Sequence, residues 1–325
     1  MKSISKCIDK LKFLTIKNFT MSIRKLIEKI LPNKKSRQIT VDNPLDGAKF
    51  DYNTQPKSLL NFDGLFTIEE RICQGDFATI YKVKSIKNGQ FYILKELDLP
   101  DIDDLLKEIA ISERLLKNCN ENFVCYYDCF TILWDPKESE NYNDAFLYEY
   151  IEGINLYDYI NSIGQSLNDD EIFNISSWLL AVVNDLHRRG YVHRDIKPHN
   201  IMVLTKNDQP TGKYKLIDFE LACDLAGKFA ECDHIEYPRE DIPMKKLEKD
   251  PTKYYPSVDM YNVGHVLYFI INRHEANPFH LKALKYNNDC YRQLVYDLLK
   301  TNRSKIDLDN IPTANEAYQR LLDCF

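Results

Sequence analysis

The stretch HRDIKPHN, residues 193–200, sets a carboxylate, an ammonium group and an amide within six positions. Asp195 is of the residue type that accepts a proton from a hydroxyl. Lys197, two positions on, has the length to reach a transferring phosphoryl oxygen. Asn200 offers an amide oxygen to Mg²⁺, a hard cation that takes oxygen ligands. These types at this spacing point to chemistry on a phosphate, which needs a nucleotide site supplied by the rest of the chain.

Three further places supply candidates. Gly75 lies between two β-rich runs in CQGDFATIYKV, and a turn lying over phosphates needs a backbone free of a side chain. Lys95 sits among the strand apolars of YILKEL, with Glu108 and Glu113 on the following helical run as possible partners. Asp218 ends the apolar strand YKLIDFE, eighteen residues beyond Asn200, where the two side chains could share a metal. Each also has a plain reading: a hairpin turn, a surface ion pair, a turn aspartate.

The elements that carry them follow from hydrophobic period and turn residues. LFTIEERIC, TIYKVKSI and QFYILKELDL are short strands, with KNG at 87–89 as a hairpin turn. DDLLKEIAISERLLKN (103–118) is helical, and FVCYYDCFTIL and AFLYEYI are two further strands flanking a polar loop at 135–144. Residues 65–151 therefore read as an antiparallel sheet with one helix. The remainder is mainly helical. DDEIFNISSWLLAVVNDLHRRG (169–190) ends at Gly190, suited to the position after a helix. SVDMYNVGHVLYFIINR (257–273) is apolar nearly all round and should be central.

Taken in order, these parts resemble the eukaryotic-type protein kinase superfamily, serine/threonine type and divergent, over roughly residues 65–325. The family arranges a glycine loop, a strand lysine, a helix glutamate, H-R-D-x-x-x-x-N and D-F-G in this sequence. They correspond to Gly75, Lys95, Glu108, His193 to Asn200, and Asp218-Phe219. Glu108 is preferred to Glu113 because EIAISERL resembles the family's helix. The resemblance implies an α+β, bilobal fold: a small antiparallel-sheet lobe with one helix (65–151) and a larger, mainly helical lobe (152–325). It implies ATP and Mg²⁺ as cofactors and a protein substrate with a Ser or Thr hydroxyl, the latter because serine/threonine kinases of this family carry lysine where Lys197 stands. Lys95 would hold the α- and β-phosphates, Glu108 would brace it, Asp195 would take the hydroxyl proton, and Asn200 and Asp218 would hold Mg²⁺. Cys73, Gly75, Phe77, Ala78 and Ile80 would cover the nucleotide, the backbone of Glu149 and Ile151 would meet adenine, Tyr148 would occupy the gatekeeper place, and Asp259 would anchor the catalytic loop.

Four departures bear on activity. Cys73 and Ala78 stand where the family has glycines. Glu220 replaces the glycine of D-F-G. From Leu221 to Pro251 there is no Ser or Thr, so fixed acids (Glu231, Asp233 or Glu236) are expected near Arg194 in place of a loop phosphate. A-P-E has only YPRED (237–241) as a counterpart, with Glu240 expected to pair with Arg303. These departures define the alternative, a pseudokinase scaffold that binds partners without phosphoryl transfer.

The totals set the remaining bounds. The 44% hydrophobic share can bury a core, and the net charge of −6 argues against a nucleic-acid partner. Residues 1–37 hold eleven Lys or Arg against two acids, a basic amphipathic segment that reads as a peripheral membrane contact, as a solvated tail or as a helix docked on the acidic kinase-like domain, and residues 38–64 read as a linker. Nine scattered cysteines without metal-ligand spacing read as reduced thiols of a cytoplasmic protein. The chain is read as a monomer. Richness in Asn, Ile, Lys and Tyr fits an AT-rich, viral or protist source, and a viral source would place it in a host cytoplasm.

Overall fold

A computed structural model of the chain describes residues 60–61, 65–75, 78–97, 102–133, 142–227, 232, 243–274, 284–302 and 305–325. The chain divides into two compact units, Met1–Asn118 with Cys125–Tyr150, and Cys119–Val124 with Ile151–Phe325. The expectations for residues 1–37, and for Phe77, Glu231, Asp233, Glu236, Glu240 and Arg303, fall outside the described residues.

The first unit is built on a six-stranded sheet. Its strands are β1 (Leu60–Asn61), β2 (Phe66–Gln74), β3 (Ala78–Ser85), β4 (Phe91–Leu97), β5 (Tyr126–Leu133) and β6 (Tyr142–Glu149), in the order β1-β5-β6-β4-β3-β2. All neighbouring pairs are antiparallel except β1 with β5, which run parallel. The antiparallel sheet expected over residues 65–151 is present, and the two-residue β1 joins its edge from outside that span. A two-residue strand is too short to show the alternation by which strands are recognised. The turn Lys87-Asn88-Gly89 closes β3 onto β4 as expected, with Gly89 at φ 70° donating its N–H to Ser85 at 2.8 Å.

Side chains alternate across this sheet. Phe66, Val83, Tyr92, Leu94, Phe130, Ala145 and Leu147 form a buried cluster. The opposite parity of β4 and β6 places Ile93 beside Tyr148 and Lys95 beside Phe146. The helix α1 (Ile102–Ile111) meets this second face through Glu108, and a π-helical turn, Ser112–Leu116, continues it.

The second unit opens with β7 (Gly153–Asn155), α2 (Leu156–Ser162) and α3 (Asp169–Arg188). Asn168 and Glu171 cap α3 reciprocally, and Gly190 follows it at φ 84°, where a side chain would be strained. Then come β8 (Tyr191–Val192), β9 (Ile201–Lys206), β10 (Gln209–Leu216) and β11 (Cys223–Asp224), with β7, β9 and β10 forming one sheet. The helices α4 (Met244–Lys249), α5 (Pro251–Asn272), α6 (Asp289–Leu298) and α7 (Ala314–Cys324) complete the unit, with the short pair β12 (Thr301–Asn302) and β13 (Lys305–Ile306) between the last two. The α5 helix is buried on all sides, from Tyr255 and Val258 through Ile270, which explains its lack of a polar face. It packs on α6 at Gly264, where an added Cβ would lie 2.8 Å from the Cβ of Leu298.

The thiols depart from expectation. Cys223 is disulfide-bonded to Cys232, and Cys290 to Cys324, whereas Cys73 and Cys129 form no disulfide. Cys290 lies in the first turn of α6 and Cys324 ends α7. Helix packing brings these two together across 34 residues, a juxtaposition that spacing in the sequence does not reveal. Among the described residues no helix is long and apolar enough to cross a membrane.

Candidate active site

In the first unit, Lys95 and Glu108 form an ion pair at 2.9 Å, with the residues only 8% and 6% exposed. Glu113, the other candidate, pairs instead with Lys117 one turn along, at 2.7 Å. Two opposite charges withdrawn from water persist only when each is well paired and further hydrogen-bonded. Tyr148 contributes such a bond, its hydroxyl donating to Oε1 of Glu108 at 3.1 Å. Burial, and then the charge on Glu108, push that hydroxyl well above its ordinary pKa, so it stays protonated and donating.

The end of β6 is held to β5 twice through one residue. The N–H of Glu149 donates to the carbonyl of Cys125 at 2.9 Å, and Oε1 of Glu149 accepts from the N–H of Cys125 at 2.7 Å. Ile151 begins the second unit. In the strands around the glycine, Cys73 is exposed and faces Ile80 across β2 and β3, and Ala78 faces Leu97 across β3 and β4. The N–H of Gly75 closes a turn on the carbonyl of Ala78 at 2.9 Å. Among the described residues, a Cβ on Gly75 would meet nothing nearer than that carbonyl, at 3.5 Å, so their packing does not demand glycine there.

In the second unit the motif residues converge on Asp195. Lys197 Nζ lies 2.6 Å from Asp195 Oδ2, and Asn200 Nδ2 donates to both that oxygen and the Asp195 carbonyl at 2.9 Å. The lysine side chain is 46% exposed, so this pair is worth under about 1 kcal/mol and can exchange partners at little cost. Beneath it, His193 Nδ1 accepts from the N–H of Asp195 at 3.2 Å. The ring proton therefore sits on Nε2, which donates to the carbonyl of Ile217 at 3.1 Å. The N–H of Ile217 in turn donates to the carbonyl of Asn200, tying the loop to the segment that carries Asp218.

Asp259, with no exposed surface, holds this loop from α5. Its carboxylate accepts from the N–H groups of His193 at 2.9 Å and Arg194 at 2.7 Å. Arg194 has φ 71° and Asp218 φ 64°, the left-handed region that non-glycine residues occupy chiefly where the surroundings enforce it. Phe219 is buried against the rings of His193 and Phe123, with centroids 4.7 and 5.5 Å apart, whereas Asp218 and Glu220 on either side are exposed. The guanidinium of Arg194 stacks 4.7 Å over Tyr255.

These residues fit a magnesium ion by their chemistry. Asn200 spends its Nδ2 on Asp195, which leaves the amide oxygen as the atom for a hard cation, and Asp218 offers an exposed carboxylate. No group of three or more His, Cys, Asp or Glu side chains is gathered for a metal among the described residues. A sparse oxygen set of this kind suits Mg²⁺, which completes its shell with water and phosphate.

Sequence reasoning missed one contributor. His187 Nε2 lies 2.9 Å from Asp259, eight residues before Asp195, and its place on the final turn of α3 was the available signal. It also missed a carboxylate tie that joins helices without touching these residues: Asp309 pairs with Lys246 of α4 and Lys253 of α5, and accepts from the hydroxyl of Tyr254. These donors hold its carboxyl well below the usual range. No period or motif links positions so far apart.

Comparison with known proteins gives the family and the fold. The protein kinase domain profile matches residues 66–324. A probable serine/threonine-protein kinase zyg-1 of Caenorhabditis briggsae is 27% identical over 246 residues, 74% of this chain and 32% of that protein. Death-associated protein kinase 2 of Homo sapiens is 25% identical over 240 residues, 70% of this chain and 59% of that protein. The chain thus spans about a third of the first relative's length. Among solved structures, Rad53 1-466 in complex with AMP-PNP superposes with a TM-score of 0.58 at 19% identity, over 80% of this chain and 62% of that one, which shows a shared fold.

Proposed function

Because the chain belongs to the protein kinase domain family, we propose that it is an ATP-dependent serine/threonine protein kinase, transferring the γ-phosphoryl group of ATP to a protein hydroxyl. The observation that carries this reading is the convergence of Lys197 and Asn200 on one oxygen of Asp195. Both donors land on Oδ2, so Oδ1 is the oxygen assigned to the substrate hydroxyl and its proton. Lys197, loosely held, would turn to the transferring phosphoryl group. Lys95, braced by Glu108, would hold the α- and β-phosphates, and Asn200 and Asp218 would hold Mg²⁺. When bound, that ion supplies neutralisation of phosphate charge. The work asked of the protein is positioning and charge stabilisation.

A scaffold without phosphoryl transfer is the second reading, and the replacement of glycines by Cys73, Ala78 and Glu220 favours it. Incubation with γ-labelled ATP, Mg²⁺ and a basic protein acceptor separates the two. The kinase reading requires labelled phosphoserine or phosphothreonine in the acid hydrolysate. Label no greater than in a reaction lacking the protein supports the scaffold.

A further inference from the structure

The ion pair of the first unit has a third member. Tyr148 stands on β6 opposite Ile93, one diagonal step from Lys95 on the same face of the sheet. Its hydroxyl and the Lys95 ammonium share one acceptor, Oε1 of Glu108, at 3.1 and 2.9 Å. Ser112 Oγ lies 3.5 Å from the same hydroxyl. Ser112 opens the π-helical turn that follows α1, one turn beyond Glu108, and wide turns of this kind recur at functional sites. The phenol ring has a fixed direction, stacked on Phe146 with centroids 6.1 Å apart and packed on Tyr126 at 5.8 Å.

A buried carboxylate is held more firmly when more than one donor meets it. On the kinase reading, Lys95 divides its ammonium between Glu108 and the phosphates while ATP is bound. The Tyr148 hydroxyl, a further donor on the same oxygen, helps to keep Glu108 in place through that sharing. We propose that the Tyr148 hydroxyl is a positioning group for phosphoryl transfer, holding Glu108 and, through it, Lys95. The proposal rests on the kinase reading for its catalytic part and on contacts within one unit for its structural part.

The test is a double-mutant cycle read in two ways. Tyr148→Phe keeps the ring and removes the hydroxyl. It is expected to lower kcat/KM for ATP about tenfold, the effect of losing one hydrogen bond to a charged group. In a Glu108→Ala background the same change is expected to alter kcat/KM less than about twofold, since the acceptor is gone. Equal losses in both backgrounds overturn the catalytic assignment, because a purely structural tyrosine would act independently of Glu108. Hydrogen exchange of the α1 amides supplies the second readout and needs no activity. Tyr148→Phe alone is expected to speed it about tenfold. Unchanged exchange overturns the docking of α1 by the hydroxyl. Absence of transfer by the wild type overturns the kinase reading and the catalytic assignment together, and the exchange result still decides the structural part.

Discussion

The carboxylate of Asp259 meets the backbone N–H of Arg194 at 2.7 Å across 65 residues of chain. Its other oxygen takes the N–H of His193 and the ring of His187, each at 2.9 Å. The left-handed backbone of Arg194, on which the placement of Asp195 depends, is thus fixed from a helix that no part of the loop contains.

Replacing Asp259 by alanine strands two buried backbone donors and the partly buried ring of His187 at once. Stability should fall by about 3–5 kcal/mol, the loss typical of breaking a buried charged network. Urea denaturation of Asp259→Ala against wild type measures this. Asp259→Asn, which keeps one acceptor oxygen, should lose less than the alanine variant.

At Gly264 the α5 and α6 helices are too close for a side chain, with Leu298 Cβ 2.8 Å from an added Cβ. Gly264→Ala should therefore destabilise by about 1–3 kcal/mol through overpacking, despite alanine's better helix propensity. A rise in the urea midpoint would show that the helices yield instead.

Gly75 makes the opposite case. Its nearest neighbour would lie 3.5 Å from an added Cβ, an ordinary contact. Gly75→Ala should leave stability within about 0.5 kcal/mol of wild type. Its effect, if this turn approaches phosphates, belongs in the KM for ATP, expected to rise several-fold at unchanged kcat. Steady-state kinetics over a range of ATP concentrations reads the split.

The convergence of Lys197 and Asn200 on Asp195 was legible because the three lie within six positions of one loop. Strand and helix periods gave the hairpin at Gly89, the end of α3 at Gly190 and the central α5. The rest depends on contacts between distant segments. The hydrogen bond from Tyr148 to Glu108 spans 40 residues, and the pairing of Lys253 with Asp309 spans 56. Neither leaves a trace in local pattern. The same holds for Cys290 with Cys324, and for β1, whose two residues are too few to carry a period.

Tyr214 makes the stability of its unit sensitive to alkali. Burial first, then Tyr159 and Glu171, push its hydroxyl up to about 12 from 10.0. The folded state thus favours the neutral phenol. The associated stability is fully present below pH 10, where the unfolded phenol is also protonated, and is lost as pH rises from 10 toward 12. The loss amounts to about 3 kcal/mol. Unfolding free energies at pH 9 and pH 11.5 should differ by less in Tyr214→Phe than in wild type. Equal slopes for the two proteins would remove Tyr214 as a source.

Comparison of wild type with Asp195→Asn, at saturating ATP and Mg²⁺ with one protein acceptor, tests most directly whether this chain transfers phosphate by means of Asp195. The expected result is transfer by the wild type and a kcat lower by about 10²–10⁴ in the variant, with the thermal shift on adding ATP retained in both. Equal label incorporation by the two proteins would contradict the account.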